Sequence, residues 1–185
     1  MLEKLIDFFM KVLRLKRVPR SGWIYYGVRD PETVASHSFN VAFLSLILCE
    51  ILKKEREIDC EKVLKMAILH ELGEVELGDI HFEGRRLIGD AVEEGERRAV
   101  KEILEEAGLS SLYPLWEEFE RAESFEAKFV RALDKIDLYL TALDYEETGI
   151  KRLDAFWKTG ANRKHFGVHP LIEKIFKILK ERRDG

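Results

Sequence analysis

Three apolar stretches of this chain carry side chains that an apolar helix does not tolerate alone. His37 precedes Phe39-Asn40-Val41-Ala42-Phe43-Leu44, and His70-Glu71 ends Val63-Leu64-Lys65-Met66-Ala67-Ile68-Leu69. Asp134 lies inside Phe129-Val130-Arg131-Ala132-Leu133-Asp134-Lys135-Ile136. Such stretches read as the buried centre of a helical domain, where a carboxylate needs a partner. One divalent cation held by two imidazoles and two carboxylates meets that need at all three places together. A helical bundle can bring side chains from separate helices to such a point.

The rest of the chain agrees with an all-α fold. Only 12 glycines and 4 prolines interrupt 185 residues of long periodic runs. The pattern predicts a first helix over residues 2–15, then a breaker-rich linker over 18–31. Asp30 with Pro31, or Thr33 a little later, can cap the next helix, which reaches about residue 54. Asp59 is an N-cap for a third helix ending near Glu74 and Gly78, followed by a loop over 79–89. Further helices are expected over 91–106, 112–121 and 125–147, with Gly108 and Gly149 as stops. A loop over 160–167 then leads to a last helix, opened by His169-Pro170 and running to about residue 182. No repeat, low-complexity segment or long linker divides the chain, so one domain over 1–185 is expected.

Charge and composition exclude several classes. A net charge of -4 and a pI near 5.8 give no basic face for general nucleic-acid binding. The strongly apolar run 41–49 is interrupted by Ser45 and too short to span a bilayer. The acids in Met1-Leu2-Glu3-Lys4-Leu5-Ile6-Asp7-Phe8-Phe9 suit an amphipathic helix and not a signal peptide. Two cysteines, Cys49 and Cys60, are too few for a disulfide framework, so reduced structural thiols and a cytoplasmic protein are expected. The absence of Gln, with only Asn40 and Asn162 as side-chain amides, matches a thermophile's avoidance of labile amides.

On one helix, His70 and Glu74 lie a turn apart on the same face, with Glu71 beside them. The string His70-Glu71-Leu72-Gly73-Glu74 lacks the second His of the zinc-protease signature, which excludes that reading. Taken singly, His37 is more often a core histidine, Asp134 can pair with Arg131 or Lys135, and Asp79 after Gly78 is an ordinary turn residue. Taken together, neutral His and ionised carboxylate suit Mn, Co, Fe or Zn. Trp116, Phe119 and Tyr139 read as core or interface aromatics, and Glu93-Glu94-Gly95-Glu96-Arg97-Arg98 as a solvated helix face.

The order His37, His70-Glu71, Asp134 resembles that of the HD-domain phosphohydrolases. Within them the chain is similar to the 5'-deoxynucleotidase branch and the related HD-domain-containing protein 2 family. The resemblance rests on Leu15-Lys16-Arg17-Val18-Pro19-Arg20-Ser21-Gly22-Trp23, Pro31-Glu32-Thr33-Val34-Ala35-Ser36-His37-Ser38 and Gly78-Asp79-Ile80. It continues through Leu115-Trp116-Glu117-Glu118-Phe119-Glu120 and Glu126-Ala127-Lys128-Phe129-Val130 to Leu133-Asp134-Lys135. One residue departs from the pattern: the family's second motif is His-Asp, and here it is His70-Glu71, one methylene longer.

This resemblance implies an all-α HD domain that holds one divalent cation, Co, Mn, Fe, Zn or Mg, through His37, His70, Glu71 and Asp134. It implies catalytic roles for Glu74 and Asp79, and substrate contacts from Arg20 and Trp23. The implied activity is hydrolysis of deoxyribonucleoside 5'-monophosphates by a homodimer, with a small-molecule nucleotide as its partner and neither nucleic-acid polymer nor membrane. Two other readings fit the same residues: an HD phosphatase acting on another nucleotide phosphoester, and a non-catalytic metal or nucleotide sensor.

Overall fold

A computed structural model describes residues 2–151, 153–158 and 164–185, and the described residues are helical without a strand. In chain order the helices are α1 (Leu2–Val12), α2 (Ser21–Tyr25), α3 (Val34–Leu52), α4 (Cys60–Leu69), α5 (Glu74–Leu77) and α6 (Phe82–Ile88). They continue as α7 (Asp90–Glu106), α8 (Tyr113–Arg121), α9 (Phe125–Glu147), α10 (Asp154–Lys158) and α11 (Pro170–Asp184). Helix α9 is the hub, packed by α3, α4, α8 and α11. Its inward residues include Phe129, Val130, Leu133, Ile136 and Tyr139, all buried. Emptying one such position, for example Leu133→Ala, costs about 2–5 kcal/mol through lost transfer energy and the cavity left behind.

Helix α3 is the second wall. Its buried positions, Val34, His37, Val41, Ser45, Leu48, Cys49 and Leu52, recur every three or four residues as one helical face requires. Of the two predicted caps Thr33 is the one used. Its hydroxyl accepts from the Ser36 backbone N–H at 3.2 Å, and the Ser36 hydroxyl accepts from the Thr33 N–H at 2.9 Å. At 19 residues with a mean hydropathy of 1.5, α3 has the length and composition of a membrane span. The short run 41–49 had concealed this. In the fold, α3 packs inward on α4 and α9 and leaves Phe39, Phe43, Leu46 and Ile47 exposed.

Several expectations need correction. The first helix ends at Val12 and tightens to a 3-10 turn over Leu13–Lys16. The linker contains α2, and the patternless stretch 79–89 contains α6, capped by the His81 side chain, which accepts from the Gly84 N–H. The third helix stops at Leu69, well short of Gly78. Glu96, read as part of a solvated face, is buried and paired with Arg85. Residues 160–163 of the predicted loop lie outside the described residues; Phe166–Val168 form a 3-10 turn, and α10 was not anticipated.

Cys49 and Cys60 are joined in a disulfide, not held as free thiols. The α3–α4 connection folds back so that their Cα atoms stand 5.7 Å apart, within bridging range. No local pattern encodes that approach.

Candidate metal centre and active site

The capping box at Thr33 starts α3 so that His37 falls in its first turn, with its N–H bonded to the Thr33 carbonyl at 3.0 Å. His37 Nδ1–H donates to Asp137 Oδ2 at 2.7 Å, between two residues only 1% and 2% exposed. That leaves Nε2 as a lone-pair donor aimed inward. His70, at the C-terminus of α4, repeats the arrangement by donating from Nδ1–H to the Ala67 carbonyl at 2.8 Å. The two Nε2 atoms face each other at 3.3 Å. Two acceptors cannot satisfy one another, so the pair calls for a cation.

Two carboxylates complete the set. His37 Nε2 lies 3.4 Å from Asp134 Oδ1 and 3.5 Å from Glu71 Oε1, and His70 Nε2 lies 3.6 Å from Glu71 Oε1. Bonds of about 2.0–2.2 Å in a tetrahedral shell give donor–donor edges of roughly 3.3–3.6 Å. His37, His70 and Glu71 therefore stand at the spacing of a metal shell, which Glu71 reaches despite its extra methylene, and Asp134 stands beside them against His37. The donor set fits a divalent cation.

The electrostatics point the same way. Burial and Arg20 lower the proton affinity of His37, but hydrogen bonds to Asp134, Asp137 and Glu71 outweigh them and hold it well above the ordinary imidazole value. Without a metal, a proton answers the demand for positive charge. Burial lowers His70. Burial would raise Glu71, yet His70, Arg20 and His37 hold it well below the carboxylate range. Asp134 behaves alike, with Lys135 and His37 overcoming its burial.

Beyond His70 the chain tightens, with Leu72 N–H bonded to the Leu69 carbonyl and Glu74 N–H to the Glu71 carbonyl, before α5 begins. Glu74 is thereby brought beside Glu71 on a separate helix. Gly73 permits the close approach of α7, since a Cβ there would lie 3.3 Å from Glu96 Cβ and Cγ. Glu74 is 2% exposed, and its Oε2 has no hydrogen-bond partner. Burial first, then the neighbouring Glu71 charge, pushes its carboxyl up to about 10. Asp79, reached through the left-handed turn at Gly78, accepts from the Ser21 backbone N–H and faces Arg20 at 3.6 Å.

Arg20 and Trp23 reach the site because the linker is pinned to the start of α3. Arg20 N–H bonds to the Glu32 carbonyl and Val34 N–H to the Val18 carbonyl. Arg20 does not stand free as a phosphate fork. Its Nη1 donates to Glu71 Oε1 at 2.7 Å, with Glu74 Oε1 at 3.9 Å. Trp23 is not an open wall either. Its indole N–H donates to Glu32 Oε1 at 2.9 Å, and its ring packs on Phe156 and Tyr145. Both residues still border a cavity of about 340 Å³, together with His70, Glu71, Glu74, Asp79 and Asp134. Sequence reasoning missed Asp137, although its place three residues after Asp134 in an apolar stretch was a usable signal, and it missed the Arg20–Glu71 pair, for which no local signal exists.

The HD domain family model matches residues 12–175. The chain belongs to the HD-domain family. It is 33% identical to the 5'-deoxynucleotidase HDDC2 of Homo sapiens, over 98% of this chain and 87% of that one. It is 30% identical to the protein of the same name in Danio rerio, over 98% and 89%. Among solved structures, a conserved hypothetical protein of Pyrococcus furiosus superposes with a TM-score of 0.85 at 36% identity, covering 95% of this chain and 99% of that one. Membership in the HD family gives the converging His and carboxylate side chains a common setting, an all-helical domain with its donors on facing helices.

Proposed function

We propose that this HD-domain protein is a metal-dependent phosphomonoester hydrolase, a 5'-deoxynucleotidase that converts deoxyribonucleoside 5'-monophosphates to deoxyribonucleoside and phosphate. The observation that carries the reading is the metal-shell spacing of His37, His70 and Glu71, with Asp134 beside His37, at the wall of a cavity that also holds Glu74 and Asp79. The choice of deoxynucleotides is supported by the activity named for the human and zebrafish relatives.

When bound, a divalent cation supplies Lewis acidity and lowers the pKa of a coordinated water. The chain's residues do the rest. Glu71 and Glu74 are displaced in opposite directions, the pattern that separates a charged carboxylate from a proton carrier. In the metal-free protein burial and the Glu71 charge keep the Glu74 proton in place at neutral pH, and Glu74 is assigned to the leaving 5'-oxygen. Asp79, anchored by Ser21 N–H and Arg20, is assigned to orienting the attacking water. Arg20 positions Glu71 and Asp79, and Trp23 stiffens the wall against which the sugar lies.

The reading extends to one domain, a cytoplasmic location and a homodimer, with no nucleic-acid polymer or membrane as partner. The exposed stripe Phe39, Phe43, Leu46 and Ile47 on α3 supports the dimer, because a contiguous apolar face of this kind marks an interaction surface. A disulfide is compatible with an intracellular protein when the source is hyperthermophilic.

The test is metal stoichiometry of the purified protein, followed by phosphate release from matched deoxy- and ribonucleoside 5'-monophosphates. Metal binding and preferential release from the deoxy series are expected. His70→Ala loses metal and activity together, whereas Glu71→Asp keeps both. Bound metal without turnover of any nucleotide replaces the enzyme reading with a sensor, and equal rates on dAMP and AMP remove deoxy selectivity. Metal retained by His70→Ala overturns the ligand assignment.

A further inference from the structure

Four cationic side chains line the cavity among the described residues: Arg20, Arg85, Arg131 and Lys135. Three are committed elsewhere. Arg85 closes its fork on Glu96 and donates from Nε to the Ile80 carbonyl. Arg131 donates to the Phe119 and Glu120 carbonyls and lies over the Phe119 ring. Arg20 is surrounded by Glu71, Glu74 and Asp79, and turning it toward a phosphate would release Glu71 from its 2.7 Å contact.

Lys135 differs. Among the described residues its ammonium has one partner, Asp134 Oδ2 at 2.8 Å, and its side chain is 26% exposed at the cavity wall. An ammonium carries three donors, so two remain for a ligand. The other oxygen of the same carboxylate, Asp134 Oδ1, faces His37 Nε2 at 3.4 Å. One carboxylate therefore separates the ammonium from the metal-shell donors, at roughly 4–6 Å from the point they enclose. Burial first, then the charges of Lys135, Lys164 and Arg131, hold His165 down at about 4.

We propose that Lys135 is a phosphate-binding residue, its ammonium gripping a non-bridging oxygen of the substrate phosphoryl group while Asp134 keeps it in place. The assignment rests on the phosphohydrolase reading above and adds a residue to it. Phosphoryl transfer depends on positioning and on stabilising charge spread over the non-bridging oxygens. A point charge on a flexible stem can follow those oxygens as they move, which a fork locked on Glu71 cannot.

The experiment compares the metal-loaded native protein with Lys135→Met and Lys135→Arg. It measures metal content and the affinity for inorganic phosphate by calorimetry, so that no turnover is needed. Lys135→Met should keep its metal and bind phosphate roughly 10- to 100-fold more weakly, the scale of one charge-assisted hydrogen bond, and Lys135→Arg should recover most of the loss. If the native protein binds phosphate and Lys135→Met binds it equally well, the assignment of Lys135 is wrong while the enzyme reading stands. If Lys135→Met loses the metal, Lys135 acts only by positioning Asp134, and the proposal is overturned. A metal-loaded native protein that binds no phosphate overturns this proposal, while the phosphohydrolase reading stands or falls on the turnover assay.

Discussion

Replacing Asp137 by Asn tests how the buried second carboxylate of α9 tunes the metal centre. Asn has the same shape and its amide oxygen can still accept from His37 Nδ1–H, so the substitution removes charge more than geometry. The contact is 2.7 Å long between residues almost wholly out of water, where a charge is poorly screened. Carboxylates that orient a metal-binding histidine in this way contribute about 10- to 100-fold in metal affinity. That range corresponds to about 1.4–2.7 kcal/mol.

The loss should depend on pH, with a sign the structure dictates. Asp137 is one of the groups that raise the proton affinity of His37, and a proton on His37 competes with the metal. In Asp137→Asn that competition weakens. The loss is therefore largest above the His37 pKa, where protons do not compete, and shrinks at lower pH, where the variant sheds its proton more readily. The assay is a titration against a chromophoric chelator at several pH values, with Zn or Co. Affinity within two-fold of native across the range would refute the argument. A loss that grows as the pH falls would refute the proton-competition part of it.

Glu74→Gln should act on stability and on rate. In the metal-free protein the folded-state pKa of Glu74, about 10, lies above the ordinary 4.5. The neutral carboxyl is thus fully accommodated below pH 4.5, and its contribution is lost as the pH rises toward 10. Between pH 4.5 and 7 the native protein loses about 3 kcal/mol that the variant does not. Urea unfolding after chelation at those two pH values reads the difference, and a gap independent of pH rejects it. With metal bound, the same variant should turn over about 10²- to 10⁴-fold more slowly, as expected on loss of a general acid. Reducing Cys49–Cys60, a bridge across 11 positions, should cost about 3 kcal/mol and lower the Tm by roughly 6–12 °C. Scanning calorimetry with and without reductant measures this, and two free thiols titrated in the unreduced, denatured protein would remove the bridge.

Long elements were legible because each depends on neighbours close in sequence. Phe125–Glu147 falls where the periodicity and Gly149 place it, and Asp59 caps α4 as read. Short helices escaped, since α2 and α6 span too few residues to display a period. The break after Leu69 escaped as well. Its cause is the packing of α5 and Gly73 against α7.

The sequence by itself determined which side chains could form the centre: His37, His70, Glu71 and Asp134 are metal donors set in apolar helices, with Glu74 and Asp79 nearby. Tertiary structure decided what surrounds them. It set Asp137 behind His37 across 100 positions, turned Arg20 onto Glu71 across 51, and paired Cys49 with Cys60. It also left Lys135 at the cavity wall with one carboxylate partner among the described residues, and much of α3 in the open. The physical reason is that donor identity and helical period are local properties. Charge pairing, burial and proton affinity depend on distances through space, and only the packed helices define those.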